Sequence, residues 1–131
     1  MPNIAVNGQK STLDWILGGA VATSPAARFI GLAWGTPSSA VGGGSELNTS
    51  FGYERKTGLF GGANSPAGSA SNTAPMTFGP FSSIASILGI HMWDGTTASN
   101  MWLFGTLQTA RTVGVGDSLV IAAGALVVTL S

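Results

Sequence analysis

The sequence has no cysteine and, among its 131 residues, a single histidine, His91. Without thiols there are no disulfides, no thiolate metal ligands and no thiol nucleophile, and one imidazole is too few for the usual zinc patterns. Charge is nearly as scarce. Charged residues make up 8% of the chain, where ordinary soluble domains carry roughly 25%. Five Lys plus Arg balance five Asp plus Glu, so no long-range field draws in a phosphate backbone or an anionic membrane, and a nucleic-acid partner is not expected. The longest apolar stretch, Ser118 to Ser131, is interrupted by Gly124 and Thr129 and alternates as strands do, so no membrane span is expected either. The opening MPNIAVNGQK lacks the basic stretch and apolar run of a signal peptide.

What is present is hydrocarbon. Hydrophobic residues reach 44%, and high hydrophobicity with low charge is the reverse of the disordered signature, so the chain is expected to fold. Its length suits one domain over residues 1–131. A surface so poor in charge associates readily, which fits a subunit partly buried against neighbours.

One segment has a helical look: Ser11 or Thr12 is placed to cap a short helix carrying Leu13, Ile16 and Leu17 on one side and ended by Gly18 and Gly19. Residues Pro2 to Lys10 before it read as an exposed polar arm, a plausible anchor between subunits. The remainder reads as short strands: Arg28 to Trp34, Phe51 to Phe60, Ala74 to Phe78, Ile84 to Trp93, Met101 to Gln108, Ser118 to Ala122 and Ala125 to Leu130, separated by turn residues. Turns at Asp94–Gly95, Gly114–Asp117 and Ala123–Ala125 predict a C-terminal meander. Gly35 to Ser50 and Gly61 to Ala70 read as long loops. The expected fold is all-β, an antiparallel β-sandwich or jelly roll with one short N-terminal helix.

No constellation for catalysis emerges. The string GDSL, Gly116 to Leu119, names a family of serine esterases, but those enzymes carry the Ser near the N-terminus with the His downstream, whereas His91 here precedes Ser118. A Gly-Asp-Ser turn explains the string. Asp14, Glu46, Glu54, Asp94 and Asp117 are scattered rather than paired. Gly42 to Gly44 are followed by neither the Lys nor the helix start of a phosphate cradle, and Asn48-Thr49-Ser50 is a glycosylation sequon with meaning only in a secretory pathway. No cofactor, no metal and no enzymatic activity are expected. Trp15, Trp34, Trp93 and Trp102 read first as core or subunit-interface residues and second as platforms for a sugar.

The C-terminal half, with NTAPMTF from Asn72, MWDG from Met92, SNMWLFGTL from Ser99 and RTVGVGDSLVIAAGALVVTLS from Arg111, resembles a family of small tailed-bacteriophage virion proteins usually labelled phage tail fibre proteins. Gly18–Gly19, the strand after Pro25, and the Gly-rich loop leading through Ser45 and Glu46 to Tyr53 and Arg55 extend the likeness over most of the chain. It departs from the pattern at Pro75, where Asp is usual, and at His91, where a small residue is usual. The resemblance implies a virion location and brings no catalytic residues.

Two addresses on the particle are open on these grounds. One is a tail or fibre component whose loops touch the host surface, a host surface glycan included. The other is a capsid decoration or cement protein, favoured by the short length and the lack of a fibrous repeat. A glycan-degrading spike enzyme is the third reading, and the missing acid pair speaks against it. In either virion role the partners are other virion proteins, a tail or major capsid protein, and further copies of the chain, expected as a homotrimer. The candidate interface or surface-contact residues are Trp34, Phe51, Tyr53, Trp93, Trp102 and Phe104.

Overall fold

The computed structural model describes residues 3–19, 25, 27–36, 46–62, 68–97 and 99–129. Within them nine strands and one α-helix follow in the order β1 (Asn3–Ile4), α1 (Val6–Ile16), β2 (Phe29–Ala33), β3 (Lys56–Thr57), β4 (Ser69–Ser71), β5 (Met76–Phe78), β6 (Ala85–Trp93), β7 (Met101–Val113), β8 (Leu119–Ile121) and β9 (Val127–Thr129). The protein is therefore all-β with one short helix, as the strand-length apolar runs predict. All pairings are antiparallel. In place of the two four-stranded sheets of a jelly roll, the described strands form a five-stranded sheet, ordered β1-β7-β6-β2-β3, and two two-stranded ribbons, β4-β9 and β5-β8.

The ribbons pack on the large sheet. Met76 and Phe78 from β5 join Ile30, Leu32 and Ile87 in one buried cluster, against which Leu119, Ile121 and Leu126 rest. Register explains why β2 is buried on both sides. Gly31 lies opposite His91, and Phe29 opposite Trp93, on one face, while Ile30 opposite Met92 and Leu32 opposite Ile90 occupy the other.

Besides the run Phe51 to Phe60, which holds as strand only the two-residue β3 and begins in a 3-10 turn, three sequence expectations need correcting. The helix starts at Val6, with Ala5 rather than Ser11 or Thr12 as N-cap and no side-chain cap bond. Ala5 is buried and its N–H donates to Trp102 O at 2.8 Å, so docking on β7 sets the start and outweighs capping preference. The end is where Gly18 puts it: this residue is left-handed at φ +73°, and Gly19 N–H closes back onto Asp14 O at 2.8 Å. The exposed polar arm is likewise replaced, because Asn3 and Ile4 pair with Phe104 and Leu103 and residues 6–10 are helical. Gly8 serves close approach, since a Cβ there would lie 2.6 Å from Ile4 Cγ2 and 3.0 Å from Trp102 O.

The C-terminal meander is the third. β6 and β7 do pair through the turn after Asp94, but β8 pairs with β5 and β9 with β4. The turn at Gly116 directs the chain away from β7, and the crossing is held where Phe81 N–H donates to Asp117 O and Gly116 N–H to Phe81 O. Of the two long loops, the triple glycine at 42–44 lies outside the described residues, and the second ends where Ser69 enters β4.

Candidate functional site

A polar cluster occupies the Gly31–His91 face of the sheet. Glu46 re-enters opposite Ala33 as an isolated bridge, and Leu47 N–H donates to Leu32 O at 2.9 Å. Arg55, just before β3, grips that carboxylate with a two-pronged fork: Nε donates to Glu46 Oε1 and Nη2 to Oε2, both at 2.7 Å. Its remaining nitrogen, Nη1, donates to Gly95 O and Ser99 Oγ at 2.8 Å, and the guanidinium lies 3.9 Å from the centre of the Trp93 ring. Tyr53 donates its hydroxyl proton to Glu46 Oε1 at 2.7 Å and accepts from Leu32 N–H at 3.0 Å. One cation thus ties together the chain returning at Glu46, the entry to β3 and the β6–β7 turn. Gly31 makes the room, because a Cβ there would sit 2.7 Å from the Tyr53 hydroxyl. His91 is fully buried on the same face, edge-on to Trp93.

The electrostatics follow from this packing. Burial alone would raise the Glu46 carboxyl, but hydrogen bonds from Arg55 and Tyr53, with the charges of Arg55 and His91, outweigh it and hold the group below its ordinary value. Burial, reinforced by the neighbouring Glu46 carboxylate, pushes the Tyr53 phenol up. Both Glu46 oxygens are engaged by Arg55, whose side chain is only 8% exposed, so the cluster clamps chain segments rather than offering a reactive group. Among the described residues no three His, Asp or Glu side chains gather where a metal ion would be held. The GDSL string is a turn, in which Asp117 Oδ2 accepts from Gly114 N–H at 2.8 Å and Ser118 is exposed.

The six aromatic candidates separate. Tyr53 and Trp93, at 4% and 5% exposure, belong to the interior cluster and are out of reach of a partner on this chain's surface. Phe51 ends a 3-10 turn and packs against the main core, and Phe104 packs against the small core of Ala5, Trp93 and Met101. Trp102 is half-buried under α1 and donates Nε1–H to Asp94 Oδ2 at 3.2 Å. Trp34, at 55%, is the one of the six that stands mostly in solvent.

Sequence reasoning passed over one polar residue, Asn72, and one surface, and it read Asp94 as part of a turn without its side-chain bonds. Asn72 is buried and fully used: Nδ2 donates to Ala74 O and Ala122 O, and Oδ1 accepts from Leu126 N–H, at 2.9 to 3.0 Å. It pins the β8–β9 turn to the start of β5. Asp94 closes the β6–β7 turn by accepting from Asn100 N–H at 2.8 Å; burial would raise its carboxyl, but that bond and the one from Trp102 hold it below the ordinary value. The surface is α1 with the residue after it, where Val6, Leu13, Trp15, Ile16 and Leu17 are all more than half exposed. The apolar spacing at Leu13, Ile16 and Leu17 is visible in sequence; that it points outward is not. On the sheet's other face a cleft of about 830 Å³ opens toward β8 and β9, lined by Ile90, Leu103, Leu107, Leu126 and Val128 among others.

A family model described as Podophage GP4 fiber I protein gp80 matches residues 4–129, which is nearly the whole chain and includes the helix and every strand except for Asn3. The chain belongs to this phage fibre family. It is a component of the phage particle. No curated protein sequence matches the chain. Among the described residues no helix is long and apolar enough to cross a membrane.

Proposed function

We propose that this fibre-family protein is a non-enzymatic, oligomeric module of the tail fibre apparatus that acts through protein–protein contacts, with further copies of itself as a homotrimer and with other tail proteins. The observation that carries the reading is the family match across residues 4–129. Surface chemistry supports it. The charged side chains, five of each sign, are balanced, and three of the acids, Glu46, Asp94 and Asp117, accept hydrogen bonds that stabilise local structure. Large apolar side chains meanwhile stand in solvent on α1 and at Ile84, Val115 and Val120. A lone soluble protein gains nothing by that distribution, whereas a subunit gains contact area with little charge to desolvate. Of the six candidate aromatics, Trp34 is the one that stands open to a partner.

Quantifying the chain against the major capsid protein in purified virions tests the address, together with gold-labelled antibody on intact particles. A fibre module gives a few to a few dozen copies and label at the tail. Hundreds of copies with label over the head would establish the cement reading in its place.

A further inference from the structure

We infer that α1 is the self-association element of the particle subunit, its outer face packing against the same face of other copies around the symmetry axis. The inference rests on the homotrimer reading and names the surface that makes it.

Geometry points outward from the first turn. The helix is fastened to the body by one side only: Gly8 abuts Ile4 and Trp102, and Ala5 before it is buried. Away from that side, Val6, Gln9, Leu13 and Ile16 recur at alternating spacings of three and four, the a and d positions of a heptad, with Leu17 beside them. All five are exposed, Leu13 by 56%, Ile16 by 63% and Leu17 by 76%. A heptad seam of this kind lines a symmetry axis when each copy presents the same stripe to the others.

Charge favours a second copy over a charged partner. The two ionic side chains of the helix, Lys10 and Asp14, are paired with each other at 2.6 Å beside the seam, so copies meet without unbalanced charge. Gln9 supplies one polar layer, its Nε2 donating to Ile4 O at 2.8 Å and so tying the seam to β1. The area is of the right order as well. Val6, Leu13, Ile16 and Leu17, each more than half exposed, form a stripe comparable to the ~300–600 Å² of the largest apolar patch on a monomer, a large share of the ~800 Å² each partner contributes to a standard interface. A three-fold axis places equivalent residues of the copies at one level along it.

The absence of cysteine provides a direct test. Leu13→Cys, oxidised under mild conditions, should link up to two of every three chains into disulfide-bonded dimers, while Thr109→Cys on exposed β7 should not. Leu13→Glu/Ile16→Glu should reduce the oligomer to monomers by light scattering, with an unchanged far-ultraviolet spectrum because both side chains are already exposed. A wild-type oligomer that survives both glutamates and fails to cross-link in the Leu13→Cys variant would overturn the role of α1 and leave the oligomer intact. A wild-type chain that is itself monomeric would overturn the oligomer reading and this one with it.

Discussion

The Arg55 cluster and the outer face of α1 treat their side chains in opposite ways. In the cluster, a guanidinium, a carboxylate and a phenol are drawn inside and matched donor to acceptor, so the costly groups are hidden and satisfied. On α1 the side chains that normally fill a core are left in water. The difference shows where each kind of interaction is used. Charge holds the chain together from within, and hydrocarbon is left exposed on the surface that the proposed association would use.

Breaking the interior side of this comparison should have the largest effect. Arg55→Ala leaves Glu46 without its cation and is expected to destabilise the fold by about 4 kcal/mol, measured by urea denaturation of the isolated chain. Arg55→Lys restores charge but not the fork, and should recover only part of the loss. Asn72→Ala strips two carbonyls and one N–H of their partner and should cost about 3 kcal/mol, with amide exchange accelerating first at Leu126. Gly31→Ala forces a methyl against the Tyr53 hydroxyl and Glu46 and should cost about 2 kcal/mol by overpacking.

The same cluster sets a dependence on pH. Because the Glu46 carboxyl is held below its ordinary 4.5 in the folded chain, its contribution is fully present above that value and is lost as pH falls through the lowered folded-state value. Melting temperature should therefore drop on acidification below about pH 4.5. Glu46→Gln, though less stable at neutral pH, should show a shallower drop. At the other extreme, Ile16→Ser on the outer face should change monomer stability by no more than about 0.5 kcal/mol while weakening association, which separates the two regions in one pair of measurements.

Much of this architecture is legible in the residues. Gly and Asp turns, short alternating runs and the Gly18 stop of the helix are local signals, and local geometry obeys them. What lies beyond reach is set by partners distant in sequence. Ser11 and Thr12 look like caps, but the contact between Ala5 and Trp102, near opposite ends of the chain, decides where the helix begins. GVGD reads as a hairpin, yet the bonds between Phe81 and the Gly116–Asp117 pair send β8 to β5. The clamp residues are hidden for the same reason, since Glu46 reads as a loop residue, Arg55 as part of a strand and Gly95 as part of a turn until folding brings them together. Tyr53 and Trp93 have the composition of interface residues, and only the Gly31 gap opposite them shows why they turn inward. The outward apolar stripe of α1 is the converse case, legible as a pattern while its direction depends on which side Trp102 takes.

Sedimentation equilibrium of the purified chain at neutral pH and micromolar concentration tests the account most directly. A single species of three times 13.1 kDa is predicted, falling to the mass of one chain when Leu13 and Ile16 are both replaced by Glu. A wild-type mass of 13.1 kDa across that range would contradict it.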